Sequence, residues 1–183
     1  MTVQLGQIAP DFEQDTLNGS IRFHEWVNRS WCILFSHPTG GAPDVSPACA
    51  TALATAARLK PEWTRRGVKI VALSVNSSDS HASWERDILQ THGWTLNFPI
   101  IADADRMVST LYGMVRPGAV ASAIVRCVFV IDPDKKIRLM RTYPPATACD
   151  FEEMLRLVDR LQQGDAEPEA AAASERQSLG RLS

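Results

Sequence analysis

Short apolar runs alternate with longer amphipathic stretches along most of this 183-residue chain. The apolar runs WCILFS (Trp31–Ser36), VKIVALSV (68–75) and FPIIAD (98–103) have the length and composition of buried strands. Between them, residues 50–66 and 80–93 carry apolar side chains at helical spacing. This alternation predicts an α/β fold with a central mixed β-sheet flanked by helices.

The second half of the chain continues this pattern. Residues 126–132 (RCVFVID) and 136–143 (KIRLMRTY) predict two strands joined by the turn PDKK, which is short enough to make them antiparallel. Residues 106–112 and 150–163 predict two further helices. In the helices of the first half, Ser80 is the expected N-cap and Pro61 predicts a kink or a break.

The composition favours one domain with one core, because 45% of the residues are hydrophobic. We expect this domain to cover residues 1–163. Residues 164–183 form an Ala-, Glu- and Ser-rich tail, for which disorder and a short docked helix are both open.

Charge and hydropathy narrow the choice of partners and compartment. The net charge is -2 and basic residues form no stripe, so we expect no nucleic-acid partner. A secretory leader and a membrane-length apolar run are both absent from the sequence, so we expect no membrane partner and a cytoplasmic protein.

The four cysteines are spaced unlike those of a zinc site or a CxxC motif, so we expect no metal and no cofactor. Cys32 and Cys127 lie in apolar runs, where a buried, inert thiol is the usual outcome. Cys49 and Cys149 lie among loop-forming residues, so these two could reach solvent.

Cys49 stands where a loop rich in Pro, Gly and Ser changes into a helix-forming segment, residues 50–60, that lacks Gly and Pro. A thiol at a helix N-terminus can have its pKa lowered from about 8.5 to between about 3.5 and 7.5. We therefore expect Cys49 to be a nucleophilic thiolate at neutral pH. Ser46, three residues earlier, is placed to hydrogen-bond the sulfur or its reaction partner.

The chain resembles the peroxiredoxins of the one-cysteine class over residues 8–163. The segments that carry the resemblance, in the order of that family, include APDFEQDTLNGSIRFHEW, WCILFSHP, SPAC, RLKPEW, VKIVALSVNSSDSHASW, FPIIADADR, VFVIDPDKKIRL and YPPAT. The resemblance implies a thioredoxin-like fold and a thiol-dependent peroxidase that reduces hydrogen peroxide or organic hydroperoxides. It also implies an external thiol reductant, either thioredoxin-like or of low molecular weight, and a homodimer.

The family motif Pro-x-x-x-Thr/Ser-x-x-Cys places Cys49 as the peroxidatic cysteine and Ser46 as the hydroxyl residue. Arg126, seven residues before Pro133, matches the active-site arginine. His37 and Pro38 match the His-Pro pair of the one-cysteine class, and we expect them, with Pro43, to contact the substrate.

The active-site loop departs from the family pattern. Five residues, Thr39 to Pro43, separate Pro38 from Asp44, where the family has one residue. The motif proline is therefore either Pro38, displaced by the insertion, or Pro43, one position out of register.

Three further departures lie outside that loop. Ala52 stands where the class usually has Glu, and Cys149 stands where it usually has a second active-site arginine. Because of its position in place of this arginine, Cys149 is a possible resolving cysteine. The third departure is that the Ala-rich tail replaces the family's C-terminal extension.

These losses leave an alternative function open. The chain is either a thiol peroxidase or a peroxiredoxin fold turned to another use, as a redox sensor, an interaction module or an enzyme acting on another thiol- or sulfur-containing substrate. Retention of Cys49, Ser46 and Arg126 together favours the peroxidase.

Overall fold

The structure, a computed structural model, describes residues 3–37, 47–115, 124–144 and 147–164. The predictions for Pro38, Pro43 and Ser46, and for the tail beyond residue 164, lie outside the described residues.

Seven strands form one sheet in the order β2-β1-β5-β4-β3-β6-β7. They are β1 (Glu13–Thr16), β2 (Gly19–Arg22), β3 (Trp31–Ser36), β4 (Val68–Ser74), β5 (Ile100–Ala102), β6 (Arg126–Ile131) and β7 (Ile137–Tyr143). β3 runs parallel to β4 and β4 parallel to β5, whereas β6 is antiparallel to both β3 and β7. The mixed sheet predicted from the sequence is confirmed.

Two interior strands of the sheet, β3 and β6, are buried along their whole length. A strand buried on both faces carries apolar residues at every position, which is the pattern of WCILF and CVFVI. One face packs on an aromatic cluster in which the rings of Phe12 and Phe23 stack at 4.7 Å and Tyr112 meets both edge-on. The same core contains Leu34 of β3 and Phe129 of β6.

The short helix at residues 23–27 was not predicted from the sequence, whereas the other helices follow the predicted order. The helices are α1 (Phe23–Val27), α2 (Pro47–Arg58), α3 (Lys60–Arg65), α4 (Ser78–His92), α5 (Met107–Leu111) and α6 (residues 151–164). The break expected at Pro61 separates α2 from α3, with the proline in the first turn of α3, where a missing N–H costs least.

Two local predictions were incomplete. The N-cap of α4 is Ser77 rather than Ser80, and the two hydroxyl oxygens lie 3.3 Å apart. The hairpin of β1 and β2 was missed because EQDT and GSIR are largely solvent-facing and carry no apolar alternation.

The described residues divide into a large unit that ends at Phe151 and a short one that begins at Glu152, whose described part is the helical segment 152–164. Within the described parts of the chain, no helix has the length and apolar character that crossing a membrane requires.

Candidate active site

The site is built where β3 ends and β6 begins. The buried Ser36 hydroxyl donates to the Val125 carbonyl oxygen at 2.6 Å and accepts from the Cys127 amide at 2.7 Å. These two bonds tie the end of β3 to the start of β6. They place His37, which follows β3, close to Arg126, the first residue of β6.

Cys49 lies in the first turn of α2 and is fully buried. Nη2 of Arg126, itself only 5% exposed, donates to the Cys49 sulfur at 2.9 Å. The first turn of α2 contains no acidic residue, so a Cys49 thiolate meets both the guanidinium charge and the positive end of the helix dipole without a competing carboxylate from that turn. The Cys49 sulfur therefore lies beside a buried positive charge at a helix N-terminus.

His37 is buried next to this pair. Burial, with the Arg126 charge second, lowers the pKa of His37 to about 3. The backbone of Cys49 acts on the ring in the opposite direction, so His37 lies beside the start of α2. The imidazole is therefore neutral at physiological pH and offers one donor and one acceptor.

A second buried histidine lies behind His37. The ring of Trp84, on α4, is 5.3 Å from that of His37 and 4.8 Å from that of His81. Burial lowers the pKa of His81 to about 4, and neither of its ring nitrogens has a hydrogen-bond partner within the described residues. Two neutral imidazoles thus contact one indole in a tilted arrangement.

Cys149 is close to the same arginine. Its sulfur lies 4.0 Å from the Tyr143 hydroxyl, and the Arg126 charge acts on it. Burial, opposed by Tyr143, raises the pKa of the Cys149 thiol to about 12. Cys149 is therefore a neutral thiol at physiological pH.

The sequence allowed Cys49 and Cys149 to reach solvent, but the structure buries both, with at most 7% of either residue exposed. Loop-forming neighbours in the sequence therefore did not indicate exposure at these two positions. Cys32 and Cys127 are buried as expected.

Comparison with known proteins decides the family. The AhpC/TSA family matches residues 5–140. The 1-Cys peroxiredoxin of Dictyostelium discoideum is 42% identical over 163 residues, which are 89% of this chain and 66% of that protein. Peroxiredoxin-6 of Gallus gallus is 45% identical over 168 residues, 86% of this chain and 72% of that protein. The chain is a member of the one-cysteine peroxiredoxins.

Solved peroxiredoxin structures agree. A yeast mitochondrial 1-Cys peroxiredoxin superimposes with a TM-score of 0.83 at 40% identity, covering 91% of this chain and 80% of the other. The peroxiredoxin 6 of Arenicola marina, in a cysteine-to-serine mutant form, gives a TM-score of 0.80 at 38% identity, covering 87% and 74%. The thioredoxin-like fold expected from the sequence is therefore confirmed.

Of the site residues predicted from the sequence of this peroxiredoxin, the structure brings together Cys49, Arg126, His37 and Cys149. Ser46, Pro38 and Pro43 lie outside the described residues. The prediction missed His81 and Trp84. They could have been found from the helical spacing of His81, Trp84 and Ile88, which marks one buried face of α4.

Proposed function

We propose that Cys49 is the peroxidatic cysteine of this thiol-dependent peroxidase and that Arg126 is its principal electrostatic partner. The observation that carries the proposal is the 2.9 Å contact between Arg126 Nη2 and the Cys49 sulfur at the start of α2. A thiolate held there combines a nucleophile with a permanent, desolvated positive charge.

The chemistry follows from those two groups. The Cys49 thiolate attacks one oxygen of hydrogen peroxide or an organic hydroperoxide, an S–O bond forms and the O–O bond breaks. Cys49 becomes a sulfenic acid, and the second oxygen leaves as hydroxide or alkoxide and takes up a proton. Arg126 stabilises negative charge as it moves from sulfur to the departing oxygen, which a fixed planar donor does without reorganisation.

We assign substrate contacts to the residues around this pair. The neutral imidazole of His37 can donate to one peroxide oxygen or accept from its hydroxyl. Pro38 and Pro43 remain proposed walls of the peroxide pocket. Ser46 remains the proposed hydroxyl partner of the reacting oxygen.

Stopped-flow mixing of the reduced protein with hydrogen peroxide, and separately with an organic hydroperoxide, tests the activity. We expect a second-order rate constant far above that of free cysteine. A rate equal to that of free cysteine would contradict the proposal. That result would instead favour the alternative functions, which are a redox sensor, an interaction module or an enzyme for another sulfur substrate. The peroxiredoxin relatives do not support these alternatives.

The reductant is proposed to be an external thiol. The yeast mitochondrial 1-Cys peroxiredoxin has a thiol-resolving mechanism that works via glutathione and thioredoxin systems, which supports the same two classes here. Peroxide turnover coupled to a thioredoxin system, or to glutathione with glutaredoxin, distinguishes them. Absence of turnover with both would leave the external-thiol proposal without support.

We also propose a homodimer in the cytoplasm. β7 is an edge strand, and within the described residues only its start is covered, through bonds of 2.8 and 2.9 Å between Ile137 and the backbone of Gly6 and Gln7. Pairing of the rest of β7 with its symmetry mate would cover the open edge. The positive charges of Arg138 and Arg141 oppose this pairing. A monomeric mass by light scattering at micromolar concentration would contradict the dimer.

The cytoplasm is the proposed compartment. All four cysteines lie among the described residues as free thiols, which fits a reducing cytoplasm.

A further inference from the structure

Two cysteines share one arginine in this protein. Arg126 donates directly to the Cys49 sulfur, and its charge also acts on the Cys149 thiol. Cys149 is buried with 7% of its surface exposed, so its thiol is largely shielded from solvent.

The sheet explains this juxtaposition. Arg126 on β6 and Tyr143 on β7 are direct cross-strand partners, so their side chains lie on the same face of the sheet. The Cys49 sulfur accepts a hydrogen bond from Arg126. The Cys149 sulfur lies 4.0 Å from the Tyr143 hydroxyl. The two sulfurs are therefore separated by one pair of adjacent side chains.

We propose that Cys149 resolves the sulfenic acid of Cys49 by forming an intramolecular disulfide. The inference rests on the proposed role of Cys49 as the peroxidatic cysteine. The Cys149 sulfur attacks the Cys49 sulfur, an S–S bond forms and the S–O bond breaks. The sulfenic oxygen keeps its own proton and leaves as water with the Cys149 proton, so two thiols and one peroxide yield one disulfide, water and an alcohol or a second water. An external dithiol then reduces the disulfide by exchange.

The backbone at Cys149 permits the approach. Residues 147–150 belong to neither a helix nor a strand, so their movement breaks no helical or sheet ladder. A disulfide requires the two Cα atoms to come within about 7 Å. We infer that Cys149 moves toward the start of α2, with or without opening of the first turn of that helix.

Peptide mapping tests the proposal. The fully reduced protein receives one equivalent of hydrogen peroxide, remaining thiols are alkylated, and the digest is analysed by mass spectrometry without reductant. We expect a Cys49–Cys149 crosslinked peptide in wild type, its loss in Cys149→Ser, and its retention in Cys127→Ser, a buried cysteine of β6 used as the matched control.

A sulfenic-acid trap supplies the second measurement. In Cys149→Ser we expect Cys49 to persist as sulfenic acid and to proceed to sulfinic acid with excess peroxide, while wild type is protected. Equal trapping and equal sulfinic acid in the two proteins would overturn Cys149 as the resolving residue and leave Cys49 as the peroxidatic cysteine. If Cys49 itself is not oxidised, both the proposed peroxidatic role of Cys49 and the proposed Cys49–Cys149 disulfide are overturned. The failure of the resolving role and the failure of the peroxidatic role therefore give different results.

Discussion

Cys32 and Cys49 are both completely buried, yet the charged groups around the two thiols differ. Cys32 lies in β3, where burial raises its pKa far above the usual range despite the opposing charges of Lys69 and Lys135. Cys49 lies in the first turn of a helix with a guanidinium nitrogen 2.9 Å from its sulfur. Burial makes a thiol inert unless a fixed positive charge is buried with it.

Burial without a compensating charge also keeps other titratable groups of the core neutral. Burial is the largest influence on His37 and His81, and it lowers the pKa of both. Arg126 is thus the buried charge that distinguishes the surroundings of the Cys49 thiol from those of a thiol buried without a close cation.

The largest effect should come from substituting the two cysteines of this comparison in turn. Cys49→Ser should abolish peroxide consumption, because a serine hydroxyl is not ionised at neutral pH. Cys32→Ala should leave the second-order rate constant unchanged, because its thiol lies within the sheet. Stopped-flow rates with hydrogen peroxide check both, and residual turnover in Cys49→Ser would show that another thiol is the nucleophile.

Removing the buried charge should come next. Arg126→Ala should slow oxidation of Cys49 by about 10- to 1000-fold, the range for one lost electrostatic donor. Arg126→Lys should recover part of the rate, because it restores the charge but not the planar fork. Arg138→Ala, which removes an arginine of β7 paired with Asp132 at 3.1 Å, is the control and should be neutral. Equal rates for Arg126→Ala and Arg138→Ala would remove Arg126 from the mechanism.

The sequence was informative where local pattern and tertiary structure agree. The apolar runs of β3 and β6 and the break at Pro61 follow from properties of consecutive residues, so they could be predicted. The solvent-facing strands β1 and β2 could not, because their pairing depends on the rest of the sheet.

Prediction of the site had a different limit. Cys49 could be found from its helix start, but the contact with Arg126 joins residues 77 positions apart and was expected only through the family resemblance. The burial of Cys149 depends on how distant elements meet and leaves no local pattern. The positions of His81 and Trp84 do leave a local pattern, because their spacing marks a buried helix face. That spacing alone does not place the two residues beside His37.

The buried histidines predict how stability depends on pH. Burial lowers the folded-state pKa of His81 from 6.5 to about 4, so the unfolded chain binds more protons than the folded protein between these values. This contribution to stability is present above pH 6.5 and is lost as pH falls to 4, by roughly 3 kcal/mol. Urea unfolding at several pH values should show a smaller acid loss in His81→Phe, which keeps an aromatic ring against Trp84. An unchanged pH dependence in that variant would contradict the buried neutral histidine.

The smallest effect should come from a position remote from both thiols. Gly93 ends α4 in the left-handed region, at φ 71°, and its amide donates to the Leu89 carbonyl oxygen at 3.0 Å. A Cβ there would meet no atom within 4 Å, so Gly93→Ala should cost only the backbone strain of a left-handed alanine, about 1 kcal/mol. Urea unfolding measures that loss, and stopped-flow oxidation should give the wild-type rate because Cys49 and Arg126 keep their contact. A slower oxidation in Gly93→Ala at unchanged fold would show that the reactivity of Cys49 depends on the wider helix layer and not on its local charge alone.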